Sequence, residues 1–296
     1  MPSITKLLPL ILTAAVGGAQ AQQSSTLDKV KQTGSITIGY RESSIPFSYL
    51  GDGAKPIGFG WEICGKIVEQ VKKATGRADL QVASQAVTSQ NRIPLIQNGT
   101  VDIECGSTTN NVERAKHVAF SINYFYTGTR FLVKADAPIN SLADLKGKKV
   151  VSTTGTSNVM VLRKLTREQG VAFELGAAKD HAEGALLVQS GRADAFGMDD
   201  ILLYGLRASA PNPAELRIVG DAIQVEPYAI VLRKDDPAFK KLVDDTLVAL
   251  IRSGEFEALY KKWFMSPIPP RGINLNAPMS KELRDNLKTL SDKPAA

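Results

Sequence analysis

Histidine and cysteine, the side chains that bind transition metals most readily, number only two each in 296 residues. His117 and His181 stand far apart, and no candidate pair has the close spacing of a metal centre, so no metal and no cofactor is expected. Aromatic residues make up only 6% of the chain, and no finger or aromatic RNA-binding motif stands beside its lysines. Those lysines are spread over solvated faces, which makes nucleic acid a poor partner. Long apolar runs are missing too. Residues 7–16 form a run broken by Pro9 and Thr13, too short to cross a bilayer comfortably. With Lys6 before it and Ala19-Gln20-Ala21 after it, this run reads as a secretory signal, residues 1–21, removed on export. No cysteine follows it closely, which argues against a lipid anchor.

What is present suits two domains better than one. The net charge of +6 would help draw in a small anion but selects no partner by itself. Cys64 falls in an early helical stretch and Cys105 at a strand end. Export permits a disulfide between them, but two buried apolar thiols fit equally well with such positions, and the balance favours separate residues.

Apolar spacing gives strands alternating with helices. Residues 35–39, 80–87 and 101–103 read as strands, with helices over 58–74 and 92–97. A second unit repeats the pattern, with strands at 148–152, 173–176 and 193–198 and helices over 158–168 and 182–190. This alternation argues for two largely parallel α/β sheets. Extended stretches at 129–133 and 228–233 imply that the chain leaves the first lobe, builds the second and returns. The expected division is 26–132 plus 227–265 for the first lobe and 133–226 for the second. A tail, 266–296, carries a short surface helix. The strand ends of both lobes would face one cleft, where ligands bind in such sheets.

Three arginines fall at those ends. Arg41 follows the first strand, Arg92 closes Ser89-Gln90-Asn91-Arg92, and Arg114 closes the hydroxyl-rich loop after Glu104. A guanidinium fork matches a carboxylate in two parallel hydrogen bonds, so three of them beside Ser107, Thr108 and Thr109 suggest a ligand with more than one carboxylate. Taken singly, each arginine fits a surface ion pair and each hydroxyl an ordinary turn. Thr153-Thr154-Gly155-Thr156-Ser157 repeats the strand–loop–helix arrangement in the second unit, without the lysine of a nucleotide phosphate loop. Asp199, first after its strand, is placed for an ammonium, while Asp200 could cap the following helix. His181, near a helix start, could donate to an acidic side chain.

These motifs resemble those of the periplasmic glutamate/aspartate-binding proteins of polar amino-acid ABC uptake systems, a solute-binding family. The likeness runs from Ser25 to about Leu290 and is carried most specifically by Arg41-Glu42-Ser43-Ser44, Ser89 to Arg92 and the Cys105-to-Asn110 loop. Asp144-Leu145-Lys146-Gly147 and Trp263-Phe264 mark only the wider superfamily. The resemblance implies a type II-like, two-lobed Venus-flytrap fold with two crossover strands, a monomer that is not an enzyme and that delivers L-glutamate or L-aspartate to a membrane permease. It implies that Arg114, Ser107 and Thr109, helped by Thr156 or Ser157, hold the α-carboxylate, and that Asp199 takes the ammonium. Arg41 and Arg92, assisted by Ser89 and His181, would grip the side-chain carboxylate. Ser157-Asn158 departs from the two hydroxyl residues the family pattern suggests. The alternatives are a dehydratase-like enzyme on the same fold, using His181, Glu104 or Glu226 as acid or base, and a soluble sensor for a receptor.

Overall fold

A computed structural model describes residues 25–295; the expected secretory signal at 1–21 lies outside the described residues. Helix α1, Thr26–Thr33, starts where Ser25 Oγ accepts from the Asp28 amide and stops at Gly34 in a left-handed conformation (φ 66°), which costs glycine least. It is followed by β1, Ser35–Tyr40, and by α2, Phe59–Thr75, whose buried face of Ile63, Ile67, Val68 and Val71 follows the helical period. The first lobe continues through β2 (Gln81–Ala86), α3 (Arg92–Gln97), β3 (Ile103–Glu104), the single turn α4 (Val112–Ala115) and β4 (Val118–Phe120).

Strand β5, Phe125–Lys134, then enters the second lobe. There β6 (Lys149–Thr153), α5 (Ser157–Gln169), β7 (Glu174–Ala178), α6 (His181–Gln189), β8 (Ala195–Asp199) and α7 (Asp200–Ser209) alternate. The long β9, Leu216–Tyr228, returns the chain to β10, Val231–Arg233, and to α8, Pro237–Arg252. The sheet orders are β2-β1-β3-β10-β4 and β7-β6-β8-β5-β9. In each sheet the strands followed by helices run parallel, while the returning strands pair antiparallel. β5 and β9 are paired from Phe125↔Tyr228 to Lys134↔Leu216, with irregularities after Val219 and Ile223. The boundaries expected at 132/133 and 226/227 fall inside these two paired strands.

Where β5 and β9 meet the first lobe, their ends are locked by aromatic packing. Phe47 lies edge-on to Phe125 and Tyr228, with ring centres 4.9 and 5.2 Å away. Phe264 stacks on Phe125 at 5.0 Å. Such contacts hold shape beyond simple area burial. Phe264 belongs to α9, Glu255–Phe264, a helix absent from the sequence reading; Phe256, Leu259, Tyr260 and Trp263 are buried with it. The tail helix α10, Lys281–Thr289, was expected on the surface, but it buries Leu283 and Asn286. Among the described residues no helix is long and apolar enough to cross a membrane.

The two cysteines are not separate buried thiols: Cys64 of α2 and Cys105 after β3 are joined in a disulfide. The sequence leaves this open because neither position fixes how closely α2 lies on the sheet. Gly60 does so, since a Cβ there would meet the Cys105 carbonyl oxygen at 2.2 Å. The bond closes a loop over a sequence separation of 41 residues and ties α2 to the start of the Gly106–Arg114 segment. Replacing both cysteines by alanine should lower unfolding stability by about 3–4 kcal/mol, the chain-entropy value for a loop of this size. Urea titration of the oxidised parent and the double variant measures it, and coincident midpoints would contradict that role.

Candidate functional site

The loops leaving β1, β2 and β3 in the first lobe face those leaving β6, β7 and β8 in the second. Ser89, Arg92, Ser107, Thr109, Arg114, Thr156, Ser157, His181 and Asp199 line one small cavity, joined by Asn158 and Met198. Arg41 is the one expected site residue outside that lining. It stands behind, donating through Nη2 to Ser89 Oγ (2.7 Å) and to His181 Nε2 (3.2 Å). A roomier groove of about 650 Å³ between α5 and β7 contains Thr156 but none of the three converging arginines. Size does not mark the site here; convergent charge does.

Arg92 is buried to 2% exposure, and its Nε and Nη1 have no protein partner; Arg41 Nη1 is in the same position. Desolvation lowers the pKa of both guanidinium groups, and at Arg92 the positive charges of Arg114 and Arg41 add to it. Arginine nevertheless keeps its proton, so this end of the cavity holds buried positive charge with unsatisfied donors. The acceptors nearby do not cancel it. Glu104, the last residue of β3, is buried; its Oε2 accepts from Thr108 Oγ1 (2.7 Å) and its Oε1 has no partner.

Negative charge collects at the opposite end. Burial, reinforced by Glu226, pushes the Asp199 carboxyl up to about 7, although Tyr228 and Asn158 both donate to it. Ser157 donates to Glu226 at 2.6 Å. Asp200 is spent otherwise: its Oδ1 accepts from Thr127 Oγ1 and from the Ile201 amide at the start of α7.

Arg114 joins the two lobes. Its Nη1 donates to the Thr109 carbonyl (2.9 Å) and its Nη2 across the cleft to the Gly155 carbonyl (3.1 Å). Thr109 Oγ1 and Ser157 Oγ lie 3.2 Å apart, so the lobes stand closed on each other. Gly155 has φ 81°, and a Cβ there would fall 2.6 Å from Gln90 Cα in the other lobe. Only glycine allows that approach.

His181 departs from the expected donor role in this arrangement. Arginine has only donors, so Nε2 must accept from Arg41 and the ring proton sits on Nδ1, toward Thr153 Oγ1 at 2.9 Å. Burial, then Arg41 and Arg92, hold the imidazole well below its ordinary pKa, hence neutral. It orients Arg41. Asn158, where the sequence departs from a pair of hydroxyls, lines the cavity and donates to Asp199 at 2.8 Å and to Thr129 Oγ1 at 2.9 Å. Tyr228 was missed as a neighbour of Asp199, because nothing in an extended crossover strand marks which residue faces a cleft.

The sequence model of the bacterial extracellular solute-binding proteins, family 3, matches residues 36–266. A glutamate/aspartate import solute-binding protein of Escherichia coli K12 is 48% identical, over 98% of this chain and 97% of its own. The L-glutamate/L-aspartate-binding protein of Pseudomonas aeruginosa is 47% identical, over 98% and 96%. Among solved structures, an ancestral arginine-binding protein bound to glutamine matches with a TM-score of 0.69 at 28% identity, covering 78% of this chain and 98% of that one. A family model over this length, with two relatives at nearly half identity along the whole chain, leaves one assignment: the chain belongs to the bacterial extracellular solute-binding proteins, family 3.

Proposed function

We propose that this protein is exported to the periplasm, captures L-glutamate or L-aspartate between its lobes, and presents the closed form to an ABC permease as a monomer. The lobes are taken as 26–132 plus 227–265 and 133–226. The observation that carries this reading is the buried Arg92, which lines the cavity and whose guanidinium keeps two nitrogens without a protein partner. A second carboxylate on the ligand meets that demand; a neutral side chain does not. The names of the two near-half-identical relatives agree with it.

In this reading Arg114, with Ser107, Thr109 and Thr156 or Ser157, holds the α-carboxylate, and Asp199 takes the α-ammonium. Arg92 and Arg41 hold the side-chain carboxylate, with Ser89 and His181 orienting Arg41. Calorimetric titration with the twenty amino acids tests the assignment. Glutamate and aspartate should bind, with glutamine at least about 100-fold weaker, because an amide leaves a buried donor facing its NH₂. Glutamine within tenfold of glutamate would sink it.

Two residue-level outcomes follow. Arg92→Ala should weaken glutamate by about 2–5 kcal/mol and erase its preference over glutamine, whereas Arg114→Ala should weaken every amino acid alike. An unchanged preference in folded Arg92→Ala protein would remove Arg92 from the specificity site.

Affinity should also depend on pH through Asp199. Its carboxyl, raised to about 7, carries a proton below that pH, and an ammonium beside it favours the ionised form. Ligand binding then releases a proton, so affinity should fall about tenfold per unit as pH drops from 7 to 5 and level off above 8. Asp199→Asn should bind weakly with a flat profile across this range. A flat profile in the parent protein would contradict the ammonium role.

A further inference from the structure

The family's sequence model ends at residue 266, yet the chain runs on through α10 to residue 295. The alignments with the two near-half-identical relatives cover 98% of the chain, so they continue past residue 266 through α10. The tail's course leads back to the site. After α10 the chain turns at Leu290 and comes to lie along the segment that carries Thr109 and Arg114, pairing Ala295 in parallel with Asn111.

Three buried asparagines make the attachment. Asn286 Nδ2 donates to the Asn123 carbonyl at 2.7 Å, and its Oδ1 accepts from the Ser291 amide. The Asn123 amide donates to the Ser291 carbonyl at 3.0 Å and its side chain to the Lys293 carbonyl at 2.9 Å. Asn110 Nδ2 donates to Asn123 Oδ1 (3.0 Å) and to the Asp292 carbonyl (2.8 Å). The main chain completes it: Ala295 N donates to Asn110 O at 2.9 Å and Val112 N to Ala295 O at 3.1 Å. On its other edge the same segment pairs with the returning strand, Asn110 N to Pro227 O and Ala229 N to Thr108 O.

Residues 108–112 therefore lie between two isolated bridges, Thr109 with Tyr228 of the returning strand on one side and Asn111 with Ala295 of the tail on the other. Their own side chains cannot fix them so firmly. The helix that follows, α4, has a single turn, too short to hold itself, and its cap, Asn111 Oδ1 accepting from the Arg114 amide at 2.9 Å, sits on the paired segment. Lys240 adds a polar latch, reaching Asp292 at 3.0 Å and Asp244 at 2.6 Å; Asp244 in turn accepts from the Ile122 amide.

We propose that residues 280–295 form a strap that fixes the Thr109–Arg114 segment, with Asn110, Asn123 and Asn286 as positioning residues for the end of the cleft that holds the α-carboxylate. The proposal rests on that reading of Thr109 and Arg114. Outside the tail, the strap's hydrogen bonds go to Asn110, Val112, Asn123 and Lys240, and among the described residues none goes to Arg41 or Arg92. The strap governs how strongly any amino acid is held, not which one.

Two variants of the full chain test it: deletion of 291–296, which keeps the packing of Leu283 and α10, and Asn123→Ala. In ligand-free protein, amide hydrogen exchange of peptides covering 107–115 should speed up by about tenfold or more, while β1 and β8 stay protected. Calorimetry should show glutamate weakened about tenfold, with its ratio to glutamine unchanged, as loss of a few hydrogen bonds at one end of the site predicts. Unchanged exchange in 107–115, or faster exchange with parental glutamate affinity, would overturn the proposal. So would exchange that rises across the whole molecule, which would make the tail a general stabiliser. If the parent itself fails to bind glutamate, the proposed ligand falls, and the exchange measurement alone still decides whether the strap holds the segment.

Discussion

A guanidinium group cannot escape burial by losing its proton, and this constraint organises the cleft. Most ionisable side chains taken out of water shift their pKa until they are neutral; arginine stays charged and must be met by an acceptor. Arg92 is fully buried with two nitrogens unmet, and Arg41 beside it has one. The neighbouring protein groups are arranged to preserve that demand. His181 accepts from Arg41 without adding charge, Ser89 holds the same guanidinium in place, and Glu104 is engaged by Thr108. The result is a positive pole kept dry and oriented, of the kind that makes an anion fit and a neutral isostere a poor guest.

The two-lobed architecture gives that pole its counterpart. Asp199 and Glu226 belong to strands of the second sheet, and burial, reinforced by the Glu226 charge, raises the Asp199 carboxyl to about 7. Arg41, Arg92 and Arg114 come from the first lobe, with Glu104 among them, Asp199 and Glu226 from the second, and Arg114 crosses between the lobes to Gly155. Neither lobe carries a complete site. In the proposed reading, binding and closure are one event: a ligand with charge at both ends satisfies groups that would otherwise be stranded when the lobes meet. The connecting strands are packed against Phe47 and Phe264 at their base, which ties both of them to the first lobe.

Much of this was legible in the sequence because strand-end residues in alternating α/β chains have predictable positions. Arg41 follows β1 directly, Asp199 ends β8, and Arg92 and Arg114 sit in the short helices that follow β2 and β3; Arg92, Arg114 and Asp199 line the cavity, with Arg41 just behind it. What was illegible depends on distance between elements. The Cys64–Cys105 bond needs the close approach of α2 that Gly60 permits. Tyr228 meets Asp199 because of the register of β9 against β5, which its two irregularities shift and no local pattern records; Glu226 was expected only as an acid or base, not as the partner of Ser157. Helix α9 was hidden because its Trp263-Phe264 pair reads as a family marker and its first turn follows α8 with only Ser253 and Gly254 between them. The tail looked like a surface appendage since α10 is strongly polar, with Leu283 and Asn286 its two buried residues.

The central claim is that Arg92 exists to meet a second carboxylate. A crystal structure of the mature protein with L-glutamate tests it most directly. The account predicts the ligand's side-chain carboxylate within hydrogen-bonding distance of the Arg92 guanidinium, about 2.7–3.0 Å, in the bidentate geometry of a charge-assisted pair. A side-chain carboxylate directed elsewhere, with Arg92 still unpartnered or turned to a protein acceptor, would contradict it.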